Sequence, residues 1–248
     1  MYIPDWRPPP AAFALPRGTA DLWRVGLTDP SGLMERLLAV LSDEERGRAD
    51  RFHFQADRRR FIVSHGALRL ILGRYTASDP ASLRFNLGSH GKPTLGGGRA
   101  LRFNLSHSGE LALIALSPDR ELGVDVELVR DVPDLAAIAA RFFTSSEQDV
   151  LRGLPAPERV RAFLVGWTRK EAVMKALGLG VALSPESIEV SLEEGYAAVH
   201  RIAGRPADSW TMTAFAPAPG SIGALAMQGP PPALSYWEWA DGFTGGMT

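Results

Sequence analysis

The spacing of apolar and polar residues changes along the chain between the alternation typical of β-strands and the three-to-four spacing typical of amphipathic helices. Strands are predicted at 21–27, 99–105, 111–116, 122–128, 188–192, 196–202, 210–216 and 221–227, and helices at 32–41, 42–51, 57–75, 134–143, 144–154 and 157–177. Each half of the chain therefore has strands and one long helix. This order predicts an α+β protein of two similar halves, residues 1–117 and 118–248.

Turn and capping residues set several of these boundaries. Ser42 to Glu45 and Thr144 to Glu147 are capping boxes, in which the first and last side chains satisfy backbone N–H groups at a helix start. Gly178 is suited to end the second long helix, and Glu194-Gly195 to turn a hairpin. The prolines at 230–232 open a tail that we expect to be loosely held.

The helix that ends before Gly178 carries charges beside its apolar stripe, which is formed by Phe163, Trp167, Met174 and Leu177. Lys170 falls inside the stripe, while Glu171 and Lys175 are four residues apart along its edge and are predicted to face each other. Charges beside a buried face need partners. A snorkelling lysine with a surface ion pair would explain the pattern, and so would a functional site.

The strand at 122–128 places two carboxylates on one face. Leu122, Val124, Val126 and Leu128 share the other face, and Asp125 and Glu127 lie ~7 Å apart along the strand. If the acidic face is solvated, the repulsion between them is small. If it lines a cleft, a divalent cation is the natural neutralising group, and oxygen ligands favour Mg²⁺.

Composition excludes several classes of protein. The chain has 248 residues, 45% of them hydrophobic, and a formal charge of -1, which argues against nucleic-acid binding by bulk electrostatics. It has no cysteine, so disulfides and thiolate chemistry are excluded. No apolar run is long enough for a signal peptide or a membrane span. We therefore expect no nucleic-acid or membrane partner. A cytoplasmic location is permitted by this composition and is expected, as is a monomer.

Two features of the basic residues suggest specific sites. Only three of the 27 basic residues are lysine, namely Lys92, Lys170 and Lys175, and a lysine retained against this arginine bias suggests a need for a compact ammonium group. Arg58 to Arg60 cluster at a predicted helix start, where the helix dipole disfavours cations. These arginines point to solvent unless an anion lies beside them.

Ser106 and His107 are adjacent at a predicted turn between two strands. Adjacent residues of an extended chain point to opposite sides, so the two are poorly placed to form a nucleophile and its base. The turn is either a hydrogen-bonding turn or one that holds a ligand.

Five motifs in register resemble the Sfp-type 4'-phosphopantetheinyl transferases. They are Gly91-Lys-Pro93, Phe103-Asn-Leu-Ser-His-Ser108, Gly123-Val-Asp-Val-Glu127, Arg141-Phe-Phe-Thr144 and Trp167-Thr-Arg-Lys-Glu-Ala-Val-Met-Lys175, and the similarity extends over residues 23–215. The resemblance implies a pseudo-dimer of two α+β halves with the active site at their interface. It further implies that coenzyme A and Mg²⁺ bind there, and that phosphopantetheine moves to a serine hydroxyl of an apo acyl or peptidyl carrier protein.

The resemblance also assigns individual residues. It implies Asp125, Glu127 and Glu171 as Mg²⁺ ligands, with Glu171 as the base and Lys175 as its catalytic neighbour. The implied coenzyme A ligands are Lys92, Pro93, Ser106, His107, Lys170 and Lys175, with further phosphate contacts at Arg48 and Arg60. One departure is Glu45, because relatives often carry a basic residue there, near the adenosine 3'-phosphate.

Two other functions remain as alternatives to the transferase. A non-catalytic module that binds coenzyme A or a carrier protein would keep the basic residues without needing all three carboxylates. Another Mg²⁺-dependent nucleotide enzyme would not explain the Lys92-Pro93 and Ser106-His107 elements. Because Sfp-type enzymes often serve secondary metabolism, the resemblance favours polyketide or nonribosomal peptide biosynthesis.

Overall fold

A computed structural model describes residues 1–10, 12–28, 32–98 and 100–240, with only the backbone of Val181. The first half contains β1 (Thr19–Gly26), α1 (Met34–Val40), α2 (Asp43–Asp50), α3 (Gln55–Thr76), β2 (Phe85–Leu87), β3 (Pro93–Leu95), β4 (Arg102–Ser108) and β5 (Leu111–Ser117). The second contains β6 (Leu122–Leu128), α4 (Leu135–Phe142), α5 (Ser145–Gly153), α6 (Ala156–Leu177), β7 (Ile188–Val190), β8 (Val199–Ile202), β9 (Trp210–Phe215), β10 (Ser221–Gln228) and β11 (Ala233–Trp239). The predicted α+β class is confirmed.

The two halves have the same topology. In the first, β1 pairs antiparallel with β5, which pairs antiparallel with β4. In the second, β6 pairs antiparallel with β10, which pairs antiparallel with β9. Each half also contains one 22-residue helix, α3 or α6, and a small two-stranded sheet, β2–β3 or β7–β8. The prediction of two similar units is therefore confirmed, whereas the division after residue 117 stays a prediction.

The last strand departs from this repeat. β11 pairs in parallel with β1, from Thr19 beside Ala233 to Val25 beside Trp239, and makes the first sheet four-stranded. The expectation of a loosely held tail after residue 230 was therefore wrong for Ala233–Trp239. Apolar alternation is weak in this segment, but Trp239 is buried in the first core, and Trp237 packs against it.

Buried residues define four layers. One core lies between α3 and the first sheet, with Trp23 and Ile71 among its members, and another between α6 and the second sheet, with Val173 and Ala224. A third core lies between the two sheets and contains Leu22, with strand residues such as Leu122, Val124, Val126 and Leu225. The order is helix, sheet, sheet, helix, and the sheet-to-sheet seam is where the halves meet.

The predicted helix signals are confirmed. Ser42 and Thr144 each accept a hydrogen bond from the backbone N–H three residues on, and the glutamates at those positions return a bond, which completes both capping boxes. Gly178 ends α6 in the left-handed conformation at φ 65°. Across the ranges that the structure describes, no helix is long and apolar enough to cross a membrane.

Candidate active site

α6 lies directly on β6, and a glycine makes this approach possible. A Cβ atom added to Gly123 would stand 2.2 Å from the carbonyl oxygen of Ala172 and 2.3 Å from the backbone nitrogen of Ala176. Only glycine leaves room for this contact. The approach places Glu171 and Lys175, which flank the contact on α6, next to the acidic face of β6.

Asp125 is the most deeply buried carboxylate of this seam, at 4% exposure. Its Oδ1 accepts hydrogen bonds from the Ser106 hydroxyl at 2.7 Å and from the Lys175 ammonium at 2.5 Å. Lys175 also donates to Ser106 at 2.9 Å. Its ion pair is thus with Asp125 on β6 and not with Glu171. Glu171 and Lys175 do lie on the same edge of the helix, because both line one cavity and the charge of Lys175 acts on Glu171.

Three carboxylates influence one another here. Burial raises the pKa of Asp125, although Lys175 opposes the shift. Burial and then the charge of Asp125 raise the pKa of Glu127. Burial raises the pKa of Glu171, and Asp125 and Glu127 raise it further against the opposing effect of Lys175. The site therefore concentrates negative charge that Lys175 neutralises only in part.

The donor set suits a hard divalent cation. Carboxylate oxygens are the ligands that Mg²⁺ prefers, and the buried Oδ2 of Asp125 has no hydrogen-bond partner among the described residues. In the described ranges, no three acidic, histidine or cysteine side chains stand close enough together to enclose an ion. The Lys175 ammonium, which is paired with Asp125, lies where a positive charge balances part of the negative charge of the carboxylates. The residues thus fit Mg²⁺ by chemistry, without forming a preassembled cage.

A cavity of about 210 Å³ opens beside these groups, and its walls include Lys92, Pro93, Glu171 and Lys175. The Lys92 ammonium donates to Glu121 at 2.7 Å, to Leu122 O at 3.1 Å and to Ala176 O at 2.9 Å. Burial lowers the pKa of Lys92, and the hydrogen bond that Lys92 donates to Glu121 opposes that shift. Lys92 thus lines the cavity while binding the C-terminal end of α6.

Lys170 lies elsewhere, and its prediction as a coenzyme A ligand was wrong. Its side chain is 1% exposed, pairs with Glu147 at 2.8 Å and donates to the carbonyl oxygens of Pro185 and Ile188. Burial lowers the pKa of Lys170, which the charge of Glu147 opposes. Position 170 faces the second core, as the apolar stripe indicated, and the residue links α5, α6 and β7.

Ser106 and His107 belong to β4, and not to a turn as predicted, because the strand continues to Ser108. They point to opposite faces as expected: Ser106 is buried against Asp125, and His107 is exposed. Protein atoms surround part of the His107 ring, and this desolvation is the largest cause that lowers its pKa. The positive charges of His65 and Lys175 lower the pKa further. The structure brings Ser106 into the carboxylate site and leaves His107 facing α3.

The predicted arginines are engaged within the protein. Arg60 donates to Asp57 at 2.8 Å and to Glu110 at 2.7 Å. Arg59 also binds Glu110, and Arg58 binds Asp50, so carboxylates are the anions beside this helix start. Arg48 lies 5.1 Å from the centre of the Phe61 ring.

A second cavity, of about 580 Å³, is lined by Glu45, Arg48 and Pro93 among others. Arg48 and Pro93 thus share a wall with Glu45, the residue at which the sequence departs from the family pattern. Glu45 binds Arg69 at 2.6 Å and lies 3.5 Å from His65. Its carboxylate is therefore neutralised by Arg69, a cation of the first half.

Three further residues of the site were not predicted. Asn104 lines the smaller cavity and accepts a bond from Val124 N–H at 2.9 Å, Ser108 donates to Glu127 at 3.0 Å, and Glu121 pairs with Lys92. The sequence did contain a signal for Asn104 and Ser108. Together with Ser106 they occupy every second position of β4, so polar residues line one face of that strand.

Comparison with known proteins identifies the class. The 4'-phosphopantetheinyl transferase superfamily matches residues 121–221, and the family described as 4'-phosphopantetheinyl transferase, N-terminal, matches residues 30–119. The 4'-phosphopantetheinyl transferase HetI of Nostoc sp. is 38% identical over 96% of this chain and 100% of its own length. The transferase psf-1 of Bacillus pumilus is 33% identical over 68% of this chain and 71% of its own length. The 4'-phosphopantetheinyl transferase Sfp of Bacillus subtilis is 29% identical over 64% of this chain and 70% of its own length.

A solved structure, that of Thermotoga maritima holo-acyl-carrier-protein synthase (AcpS), is more distant. It is 21% identical, has a TM-score of 0.35 and covers 44% of this chain and 62% of that one. The match to HetI, by contrast, extends over both halves and includes the acidic strand and α6. The chain belongs to the 4'-phosphopantetheinyl transferase family of enzymes.

Proposed function

We propose that this protein transfers the 4'-phosphopantetheine group of coenzyme A to a serine hydroxyl of an apo acyl or peptidyl carrier protein, with Mg²⁺ as cofactor. The observation that carries the proposal is the meeting of Asp125 and Glu127 with Glu171 and Lys175 where α6 lies on β6, because the last two also line a cavity. A module that only binds coenzyme A has no need for three mutually repelling carboxylates.

The reaction replaces a phosphoanhydride bond of coenzyme A with a phosphodiester bond to the carrier serine. The serine oxygen forms a bond to the phosphorus next to the pantetheine, the bridging P–O bond of the pyrophosphate breaks, and adenosine 3',5'-bisphosphate leaves. Lys175 and Lys92 are the cations of the cavity wall that can bind the pyrophosphate. Mg²⁺, held by Asp125, Glu127 and Glu171, would supply further positive charge when bound.

Glu171 is the proposed acceptor of the serine proton. Its carboxylate lines the cavity, and in the metal-free protein burial and the charge of Asp125 raise its pKa above that of an ordinary carboxylate. Its carboxylate could take the proton while the serine oxygen attacks. No covalent intermediate with the enzyme is needed.

The test is Glu171→Gln, which keeps the size of the side chain and one oxygen but removes the base. Incubation with Mg²⁺, coenzyme A and apo carrier proteins, followed by intact-mass measurement, should show one added phosphopantetheine for the wild type. We expect Glu171→Gln to be slower by ~10²-fold or more. Glu158→Gln, an exposed position of the same helix, is the matched control and should transfer normally.

Two outcomes would contradict the proposal. Transfer by Glu171→Gln at the wild-type rate would show that another group takes the proton. A wild type that binds coenzyme A but modifies none of a broad panel of acyl and peptidyl carriers would favour the binding module instead. The panel also addresses the pathway, because polyketide, nonribosomal peptide and fatty acid carriers can be compared directly.

A further inference from the structure

β4 and β6 lie side by side at the seam, yet no backbone ladder joins them within the described ranges, and they belong to different sheets. Side chains of β4 make the connection instead. Asn104 Oδ1 accepts a hydrogen bond from Val124 N–H at 2.9 Å, and Ser108 Oγ accepts one from Leu128 N–H at 3.2 Å. The acidic strand is therefore attached through side chains to its neighbour.

The spacing of these bonds fixes the position of one strand along the other. Residues 104 and 108 are four apart, and so are residues 124 and 128, so both bonds belong to one parallel register. At about 3.3 Å per residue the two bonds stand roughly 13 Å apart. A slip of β6 by one residue would break both of them and turn Asp125 toward the other face.

The two bonds bracket the metal-binding candidates. Between them Ser106 donates to Asp125 at 2.7 Å, and at the end Ser108 also donates to Glu127 Oε2 at 3.0 Å. The serine hydroxyl of residue 108 thus accepts from a backbone N–H and donates to the neighbouring carboxylate at once. It ties the orientation of the Glu127 side chain to the backbone of β6.

The other half shows what this arrangement replaces. The corresponding edge of β1 pairs with β11 by a continuous ladder from residue 19 to residue 25. A ladder joins strands about 4.8 Å apart by backbone hydrogen bonds, with no side chain between the two backbones. At β6, interposed side chains of β4 satisfy the edge and contact the carboxylates.

We infer that Asn104 and Ser108 are positioning residues for the acidic strand: they set its register against β4 and so hold Asp125 and Glu127 where a divalent cation can be bound. This inference rests on the proposed function, because it assigns Mg²⁺ to these carboxylates. Hydrogen bonds that orient ligating side chains generally contribute to metal affinity.

Four variants test the inference. Asn104→Ala and Ser108→Ala remove the acceptors, whereas Ser108→Thr keeps the hydroxyl. Ser117→Ala is the matched control, because its hydroxyl is buried on the neighbouring strand β5 and has no hydrogen-bond partner among the described residues. It makes the same chemical change as Ser108→Ala without breaking a bond to β6.

Three measurements are needed, none of which requires turnover. They are amide hydrogen exchange at Val124 and Leu128, Mg²⁺ affinity by calorimetry with coenzyme A present, and unfolding in urea. We expect exchange to speed up about fivefold or more at Val124 in Asn104→Ala and at Leu128 in Ser108→Ala. Both variants should bind Mg²⁺ about tenfold more weakly or worse. Ser108→Thr and Ser117→Ala should bind it as the wild type does.

The inference is overturned if exchange speeds up and stability falls but Mg²⁺ affinity equals that of Ser117→Ala, since the bonds would then stabilise the seam alone. Unchanged exchange would overturn it too, as would a wild type that binds no Mg²⁺. A wild type that binds Mg²⁺ and coenzyme A yet modifies no carrier would contradict the proposed function. In that case the exchange and Mg²⁺ measurements would still decide the inference.

Discussion

Lys170 and Glu147 form an ion pair in which both side chains are almost completely buried, at 1% and 3% exposure. The carboxylate also accepts from the N–H groups of Thr144 and Val190, at 2.8 Å and 2.9 Å. A buried charge that loses its partner is strongly unfavourable, whereas removal of both charges costs less. The pair therefore explains why a charged residue occurs in an apolar stripe.

Lys170→Met should lower the free energy of unfolding by roughly 3–5 kcal/mol, because it leaves Glu147 unpaired. Lys170→Met with Glu147→Gln should be less destabilised than the sum of the two single variants, as measured by urea unfolding in a double-mutant cycle. Arg152→Met breaks an exposed pair with Asp149 and should cost less than about 1 kcal/mol. Unchanged stability with a raised KM for coenzyme A would restore Lys170 as a ligand.

Glu45 provides a prediction about pH. Burial alone would raise its pKa, but bonds from His65, the Ser42 N–H and Arg69 outweigh burial and lower the pKa to about 2. Because the folded-state pKa lies below the usual 4.5, the ionised carboxylate stabilises the fold fully above pH 4.5. This contribution is lost as the pH falls from 4.5 toward 2.

Glu45→Gln should therefore lower the free energy of unfolding by up to about 3 kcal/mol at pH 7, and the difference from wild type should shrink as the pH falls below 4.5. Glutamine keeps the capping box, so the comparison reports mainly on the charge. Glu44→Gln changes an exposed neighbour and is the control. A difference that stays constant from pH 7 to pH 3 would contradict the assigned pKa.

At the scale of elements, the contact between α6 and β6 depends on one missing side chain. Gly123→Ala would place a Cβ atom 2.2 Å from a helix carbonyl oxygen, so the helix must move away from the strand. We expect a loss of about 3 kcal/mol in unfolding free energy, at the upper end for an overpacked site, and a loss of transfer activity.

Gly153→Ala is the matched control, since a Cβ at Gly153, the last residue of α5, would meet no atom within 4 Å. It should change the free energy of unfolding by less than about 1 kcal/mol, and in the stabilising direction. If Gly123→Ala proved as harmless as Gly153→Ala, the close approach of α6 would not exist in solution.

Elements with strong local signals could be predicted, and those that depend on distant partners could not. Both capping boxes, the end of α6 at Gly178 and the full length of β6 follow from local chemistry. The partner of Lys170 could not be found, because Glu147 lies 23 residues away and is reached only after α5 and α6 pack. Lys175 likewise forms its ion pair with Asp125 on another element and not with Glu171 on its own helix.

At the scale of the whole molecule, the acidic strand and the basic residues of the site come from different halves. Lys92, Pro93 and Ser106 belong to the first half, and Asp125, Glu171 and Lys175 to the second. The family pattern indicated this division, but the contribution of Ala233–Trp239 to the first sheet was missed. Its residues show little alternation and follow prolines, so only the pairing with β1 reveals a strand.

A chain that ends at Pro230 lacks β11 and should lose the stability of the first half. It exposes the edge of β1 and removes the buried Trp239, so we expect no cooperative unfolding transition by tryptophan fluorescence or calorimetry. A chain that ends at Ala240 keeps every described strand and is the matched control, which should retain a cooperative unfolding transition. Equal stability of both truncated chains would show that β11 is dispensable.

The pairing of β11 with β1 also bears on the order of events during synthesis. β1 leaves the ribosome before every other described strand and helix of the two halves, and its partner β11 leaves after all of them. Domains commonly fold from the N-terminus while translation continues. The edge of β1 that pairs with β11 therefore stays unpaired until the second half has emerged. A nascent chain stalled before residue 233 presents that edge to chaperones and proteases.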